Sequence, residues 1–351
     1  MNILYRLVSH CPRLYQSNQR YVHYLSQANP VRQSKDLVTC ILNNTIHHDE
    51  QILVCNKPPG VMVLDETWDR KTEIPNPEQD DEGTEIKYNL SNTNPCTIQY
   101  HMPQFRSALK WSHFFPCLRT PNEPSGLLVY TQNSQLHDDI KSTAMRSFRK
   151  LKEPYLTFYG ITTAIPRKLE DSQHVMIERH IYNGQYLSYE VFAATSNALK
   201  EGRVYTVALV EFKTTTCTWD FVEIYCLRQC APLLGDNKYW NRVKFVAGVP
   251  MYVNPIKHEI YPTKQQLNKH VRLALDVYGQ QITCPLHLHL TDFSLPKKFR
   301  RQRAVVHYHA QPFPYFHETL ERLKLKFPDD LDMNKPFEQQ IDEEFEDAIN
   351  Q

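Results

Sequence analysis

The pattern of hydrophobic and polar positions predicts several strands. Residues 49–63 predict a strand, a tight turn and a second strand, because the middle of the segment reads Lys-Pro-Pro-Gly. Residues 155–159 and 204–212 predict two more strands, and the second is apolar enough to be buried on both faces. Residues 285–290 alternate apolar and polar side chains in the same way.

Helical patterns lie between these strands. Residues 134–149 place an apolar side chain at every fourth position on one face. Thr263 and Gln266 have the spacing of a capping box and predict that a second helix begins there. A short helix is expected after Pro314. Because strands dominate and helices are interspersed, the predicted class is α+β with a largely antiparallel sheet.

The N-terminal segment differs in composition from the rest of the chain. Residues 1–35 contain five basic side chains, no acidic ones, and no continuous apolar core. This composition is typical of a mitochondrial transit peptide rather than a secretory signal, with an ordinary basic N-terminus as the alternative. We therefore expect a transit peptide over residues 1–36 and a location in the mitochondrial matrix. Ordered structure is expected from about Leu37.

The remaining residues divide into a body and two acidic segments. We expect one folded domain over residues 37–328, an acidic insertion at about 69–94, and an acidic tail over 329–351. The apolar runs are far shorter than the ~18–20 residues that a membrane-spanning helix needs, so no membrane insertion is expected. Without the leader and the acidic clusters the body has 35 basic and 29 acidic residues, which permits a nucleic-acid partner.

One run of basic side chains has the density of a phosphate-binding segment. The alternative is a solvated loop before the next strand. We expect the run to contact the RNA backbone. It comprises Lys297, Lys298, Arg300, Arg301 and Arg303.

Cysteine and histidine patterns argue against a metal centre. The nine cysteines are odd in number and scattered, which is typical of reduced thiols. Residues His287, His289, His307 and His309 alternate like metal-binding pairs, but no acidic or thiol third ligand lies nearby in sequence. We expect these histidines to be packed or surface residues.

Five short segments, in order, resemble the RluA-type RNA pseudouridine synthases, and the 285–290 strand together with the C-terminus most resembles their metazoan mitochondrial branch. Residues 49–63 resemble their opening DE-x-ILV-x-NKPxG segment, and residues 125–130 resemble the SGLLV strand after their catalytic loop. Residues 155–160, 232–239 and 285–287 are similar to three later motifs. Each motif alone is weak, but the shared order makes the resemblance specific.

The resemblance implies a fold and a mechanism. The fold is a central, mostly antiparallel sheet flanked by helices, with a cleft for a flipped uridine. In that family a loop aspartate attacks the flipped nucleoside, a tyrosine stacks near the base, and an arginine steadies the aspartate. Neither metal nor cofactor takes part. The implied partner is mitochondrial RNA, either mRNA or rRNA, together with other mitochondrial RNA-processing proteins.

The catalytic loop departs from the family pattern. Aligned without gaps, the loop arginine is kept as Arg119, but Pro121 occupies the position of the nucleophile. Glu123 is the fallback carboxylate, and it would require the loop to be re-aimed by two residues. Arg119 and Tyr155 remain the expected substrate-binding residues.

The third motif departs in the same way. Glu223 stands where the family has the arginine, and Asp220 stands where the family has a histidine. The apolar positions Val222 and Ile224 are kept, so we expect this segment to pack as a strand.

These losses leave three functional interpretations. The first is a mitochondrial RNA-binding homologue without a working active site. The second is an active RNA uridine isomerase that uses Glu123 or another carboxylate. The third is a protein-interaction module in mitochondrial RNA processing or ribosome biogenesis, motivated by Glu223 and Asp220, because carboxylates repel phosphate.

Overall fold

The structure is a computed structural model that describes the body of the chain with gaps. Most of the expected leader, the insertion at 69–94 and the tail at 329–351 lie outside the described residues. The described residues are 23–28, 36–63, 97–118, 123–146, 154–166, 175–179, 182–198, 204–215, 220–253, 263–277, 283–296 and 305–327.

The described residues form strands with short helices interspersed. The strands are β1 (Thr45–His48), β2 (Ile52–Lys57), β3 (Phe115–Pro116), β4 (Ser125–Thr131), β5 (Leu156–Thr162), β6 (Val175–Arg179), β7 (Tyr182–Ala198), β8 (Val204–Thr214), β9 (Val243–Val246), β10 (Val249–Tyr252), β11 (Leu288–Pro296) and β12 (Val305–His309). The α-helices are α1 (Leu37–Asn43), α2 (Met102–Leu109), α3 (Ser134–Arg146), α4 (Phe221–Arg228), α5 (Lys269–Ala274) and α6 (Pro314–Leu323). Tyr24–Gln27 and Trp240–Arg242 are 3₁₀ helices.

One large sheet organises the described part of the chain. Its strand order is β1-β2-β4-β11-β5-β8-β7-β6, with β12 also beside β11 and β3 beside β4. The pairs are antiparallel except for β4 and β11, which are parallel. The predicted α+β class with a mostly antiparallel sheet is therefore confirmed.

The parallel contact between β4 and β11 depends on a glycine. Gly126 lies opposite Leu290 and has a φ of 118°, which L side chains rarely adopt. A Cβ at this position would overlap the backbone carbonyl of Leu290. Only glycine therefore allows the start of β4, which directly follows the candidate catalytic loop, to lie this close to β11.

Strand β8 is buried on both faces over residues 207–212, as its apolar sequence predicts. Val210 and Phe212 pack in one apolar cluster with Tyr225 of α4. Leu209 points to the opposite face and packs in a second cluster with Phe316 of α6. The sheet is therefore covered by helices on both faces, since successive side chains of a strand alternate in direction.

A separate hairpin, β9–β10, exposes apolar side chains. Its base is anchored because Val243 and Tyr252 pack against Ile224 and Leu227 of α4. Phe245 is 73% exposed. In the described part of the chain, no helix is both long and apolar enough to span a membrane.

Two local predictions are wrong. The segment after the 58–60 turn forms only an isolated bridge to Thr97 instead of a strand. The second helix begins at Lys269 rather than at the predicted Thr263–Gln266 capping box, because the side chain of Asn268 accepts from the helix N-terminus. The helix predicted over 134–149 is confirmed up to Arg146, and the helix after Pro314 is confirmed.

Candidate active site

Lys57 ties the turn after β2 to the residues that follow the candidate catalytic loop. Its side chain is fully buried, and its Nζ donates to the carbonyl of Val61 at 3.0 Å and to the carbonyl of Pro124. The N–H of Gly60 donates to the carbonyl of Glu123 at 3.0 Å. These bonds fix the position of residues 123–124 relative to β2.

The centre of the candidate loop lies outside the described residues. Arg119 and Pro121 both fall in this part, so their roles rest on the sequence alone. Glu123 is described, and its side chain is exposed. Burial lowers the pKa of Lys57 to about 7, and the nearby carboxylate of Glu123 opposes that shift.

The third motif is a helix, so the predicted strand around Val222 and Ile224 is wrong. Residues 221–228 form α4, and Asp220 precedes the helix in the left-handed conformation with a φ of 51°. The Oδ2 atom of Asp220 accepts from the Nζ of Lys238 at 2.5 Å and from the hydroxyl of Tyr239 at 2.6 Å. The carboxylate of Asp220 is therefore neutralised by an adjacent ammonium group.

Glu223, which replaces the family arginine, is buried within α4. Burial raises the pKa of the Glu223 carboxyl well above its usual value, and the carboxyl groups of Asp220, Glu123 and Asp236 raise it further. The protonated, neutral form is favoured as a result. The substitution that looks like a charge reversal in the sequence thus introduces a side chain that resists becoming negative.

Asp236 is the second buried carboxyl group. Its Oδ1 accepts from the backbone N–H groups of Lys238 at 2.9 Å and Tyr239 at 2.8 Å. Its Oδ2 is buried without a hydrogen-bond partner among the described residues. Burial raises the pKa of Asp236 to about 7, and the carboxyl groups of Glu123 and Asp220 add to the shift.

Together these residues form what we call the carboxyl cluster. Burial opposes the charged form of Lys238, but the Asp220 carboxylate, through its charge and its hydrogen bond, and the Glu123 carboxylate raise its pKa. An exposed carboxylate beside ammonium groups is the kind of arrangement that can supply a nucleophile. The cluster consists of Glu123, Asp220, Glu223 and Asp236, with Lys57 and Lys238 beside it.

Sequence reasoning does not identify Lys57, Lys238 or Asp236 as site residues. All three lie in segments whose patterns indicate only framework: the Lys-Pro-Pro-Gly turn and the Gly-Asp-Asn-Lys-Tyr run. Their charge in the middle of otherwise buried segments is the available signal, because buried charges are rarely placed without a partner.

Of the other predicted RNA contacts, the structure describes Tyr155 but not the basic run at 297–303. Tyr155 lies just before β5, where its ring packs edge-on against Phe293 with centroids 6.2 Å apart. Its backbone N–H donates to the carbonyl of Thr214 at 3.2 Å. The predicted RNA-backbone residues Lys297, Lys298, Arg300, Arg301 and Arg303 lie outside the described residues.

The alternating histidines separate into two groups. His287 and His289 are buried, and desolvation lowers their pKa values to about 4 and about 3. His307 and His309 lie within 3.4 Å and 2.8 Å of Asp292, an acidic neighbour that sequence proximity does not reveal. No group of three or more ligating side chains suited to a metal ion occurs in the described residues, and the described cysteines are free thiols.

Comparison with known proteins identifies relatives at low sequence identity. No protein-family model matches the chain. The chain is 26% identical over 245 residues to the mouse (Mus musculus) mitochondrial mRNA pseudouridine synthase Rpusd3, a match covering 65% of this chain and 70% of the mouse protein. It is 26% identical over 217 residues to the human (Homo sapiens) protein of the same name, covering 58% of this chain and 61% of the human one.

A solved structure shares the fold. Human RNA pseudouridylate synthase domain containing 4 superposes with a TM-score of 0.56 at 18% identity, covering 84% of this chain and 98% of that chain. The pseudouridine synthase fold implied by the resemblance is therefore confirmed. The chain is therefore similar in sequence to mitochondrial mRNA pseudouridine synthases of mouse and human, and it shares the fold of a pseudouridylate synthase domain.

Proposed function

We propose that the protein binds mitochondrial RNA at the surface around the carboxyl cluster and forms little or no pseudouridine itself. The family frame supports RNA binding, because β2, β4 and α4 hold the segments that surround a flipped uridine in this family. The mouse and human relatives carry names that place their activity on mitochondrial mRNA.

The observation that carries the loss of activity is the proline at position 121. Proline has no ionisable group, and the position of its arginine partner is taken by the buried Glu223. Two independent replacements remove both the attacking oxygen and the cation that would orient it. Because a misplacement of ~1 Å at a reacting centre can cost roughly 100-fold in rate, a partial substitute is a poor catalyst.

A direct assay tests this proposal. The purified full-length chain is incubated with mitochondrial RNA, and new pseudouridine is quantified by mass spectrometry of the nucleosides. We expect no increase over RNA incubated without protein. Clear turnover by the unaltered chain that disappears in Glu123→Gln would contradict the proposal and assign the nucleophile.

The second candidate, an active isomerase, is favoured by the surroundings of Glu123. Its carboxylate raises the pKa values of both Lys57 and Lys238, so a carboxylate and two amino groups interact electrostatically near the loop despite the two replacements. In this alternative Glu123 attacks the sugar of the flipped nucleoside and the bond from the sugar to the base nitrogen breaks. The detached base, whose negative charge Lys238 offsets, rotates and rejoins the sugar through carbon as the bond to Glu123 breaks and the ring carbon loses its proton. The Glu123→Gln arm of the assay separates the two candidates.

The third interpretation, a protein-interaction module, has less support once the surroundings of its acidic residues are known. It depends on repulsion between phosphate and the acidic residues of the third motif. Asp220 is paired with Lys238, and Glu223 favours its neutral form, so that repulsion is weak. Association with other mitochondrial RNA-processing proteins is compatible with RNA binding and adds no separate site.

Two segments are proposed to contact RNA, of which only the second lies within the described residues. The basic run at 297–303 supplies charge for the backbone. The β9–β10 hairpin continues from the segment of Asp236 and Lys238, and it presents Phe245 next to Lys244 in solvent. Because successive side chains of a strand alternate in direction, Lys244 lies on the opposite face, and the exposed ring by itself suits stacking with an unpaired base.

The composition of the leader and the names of the relatives support a mitochondrial location. We propose that residues 1–36 direct the protein to the mitochondrial matrix, in agreement with the mitochondrial names of the mouse and human relatives. A fluorescent protein fused behind residues 1–36 should enter mitochondria. Cytosolic fluorescence would contradict the targeting role.

A further inference from the structure

A short N-terminal segment is packed onto the body of the protein. We call residues 23–28 the N-terminal strap; they include the 3₁₀ helix Tyr24–Gln27. The strap lies inside the 1–36 segment whose composition predicts a transit peptide. It also precedes Leu37, where the sequence predicts that ordered structure begins.

The apolar side chains of the strap belong to the core. Leu25 is 3% exposed and Ala28 is 7% exposed. Both lie in the cluster that contains Val271 and Leu275 around α5 and Leu320 of α6. Removal of the strap would expose apolar surface of both helices to water.

Polar contacts hold the strap in register. The Nε2 of His23 lies 3.0 Å from the carbonyl oxygen of Leu275, which ends α5. The hydroxyl of Tyr24 lies 3.2 Å from the Oγ1 of Thr319 on α6. The guanidinium of Arg322 lies 4.7 Å from the centre of the Tyr24 ring. The strap thus bonds to one helix at its end and to the other along its face.

We propose that the strap is a permanent part of the mature protein and that the leader is removed by hydrolysis of a peptide bond upstream of His23. This inference rests on the proposed import into mitochondria. A cut at the boundary that composition suggests, near residue 36, would release the strap from the core. A cut before residue 23 leaves every contact of the strap intact.

The mature N-terminus tests the boundary. The full-length chain with a C-terminal tag is expressed in cells, recovered from purified mitochondria and sequenced by mass spectrometry. We expect a chain that has been cut within the leader, with a first residue well after Met1 and no later than His23; an uncut chain inside mitochondria would overturn the proposed removal of the leader. A first residue beyond His23 would overturn the proposal. An uncut chain that stays in the cytosol would overturn import, and the boundary with it.

A second experiment tests whether the strap stabilises the fold, and it does not depend on import into mitochondria. Leu25→Ala is introduced into the full-length chain, and Leu273→Ala serves as the matched control because Leu273 lies on α5 but is 43% exposed. We expect Leu25→Ala to lower the Tm by about 4 °C or more and Leu273→Ala to change it by less than about 2 °C. Equal, small shifts in both variants would show that the strap does not contribute to the fold.

Discussion

Single residues around the candidate site show that burial changes the meaning of a charge. By formal charge, Glu223 reverses the charge of the family arginine. The third motif would then be expected to repel phosphate. Desolvation and the neighbouring carboxyl groups instead favour the neutral form of Glu223 and raise the pKa of Asp236 to about 7. The sequence contains the residue types, but only burial determines which of them carry charge.

The raised pKa of Asp236 predicts a pH-dependent change in stability. The folded protein holds a proton on this carboxyl that the unfolded chain releases above about pH 4, so its contribution to stability falls as the pH rises from about 4 to about 7. Asp236→Asn removes this loss while keeping the oxygen that accepts two N–H groups. We expect the variant to gain on the order of 3 kcal/mol over the unaltered protein between about pH 5 and pH 8.

Denaturant unfolding at the two pH values measures that difference. The comparison is made between variant and parent because His287 and His289 have lowered pKa values, which makes their contribution rise with pH over an overlapping range. Asp138→Asn, an exposed carboxyl on α3, controls for the change of charge alone. A gain that does not vary with pH would argue against a protonated Asp236.

Lys57 is expected to be structurally essential despite its unfavourable burial. Lys57→Met would leave the carbonyls of Val61 and Pro124 without their donor, at a cost of about 2 kcal/mol or more. Unfolding in denaturant measures the loss, and Lys244→Met on the exposed hairpin is the control. If both variants were equally stable, the clamp on residues 123–124 would be unimportant.

At the scale of elements, the third motif shows why local patterns fail. All residues from Phe221 to Leu227 are buried, so α4 has no polar face and therefore no helical period in its sequence. The alternating Val222 and Ile224 then favour a strand. Helices with one exposed face, such as α3 and α6, are predicted correctly from the sequence.

The close contact between β4 and β11 predicts that adding one methyl group at Gly126 strongly lowers the stability of the protein. Gly126→Ala should destabilise the protein by about 3 kcal/mol or more, because the new Cβ overlaps the backbone of Leu290 and the φ is strained. Gly248→Ala in the hairpin turn is the matched control, since its φ is 80° but its Cβ would meet nothing within 4 Å. We expect about 1–2 kcal/mol there. Equal losses in denaturant unfolding would assign the effect to backbone strain alone.

At the scale of the whole molecule, the sheet brings distant segments of chain together. Strand β11 lies between β4 and β5, although it follows β4 by more than 150 residues. The carboxyl cluster is assembled in the same way from the end of the loop, the start of α4 and the segment after it. Such long-range pairing has no local signature.

Measurements of RNA affinity on the whole protein should separate the contribution of charge from the contribution of base stacking. Replacing Lys297, Lys298, Arg300, Arg301 and Arg303 with Gln should flatten the dependence of log affinity on log salt by about 0.7 for each single-strand phosphate that those side chains neutralise. Phe245→Ala should weaken binding about 10-fold at every salt concentration without changing the slope. Val249→Ala is the control for Phe245. Filter binding across a salt series measures both, and a salt-independent affinity would contradict RNA binding at these surfaces.

The sequence alone determined the order of the motifs, the α+β class, the buried β8 and the proline at position 121. These features are local or depend on order along the chain, so they can be identified without a structure. Only the tertiary structure decided that Glu223 lies inside a helix, that Lys57 and Lys238 stand beside Glu123, and that the strap packs onto α5 and α6. Burial and distance between remote segments set these properties, and neither is encoded in any short stretch of residues.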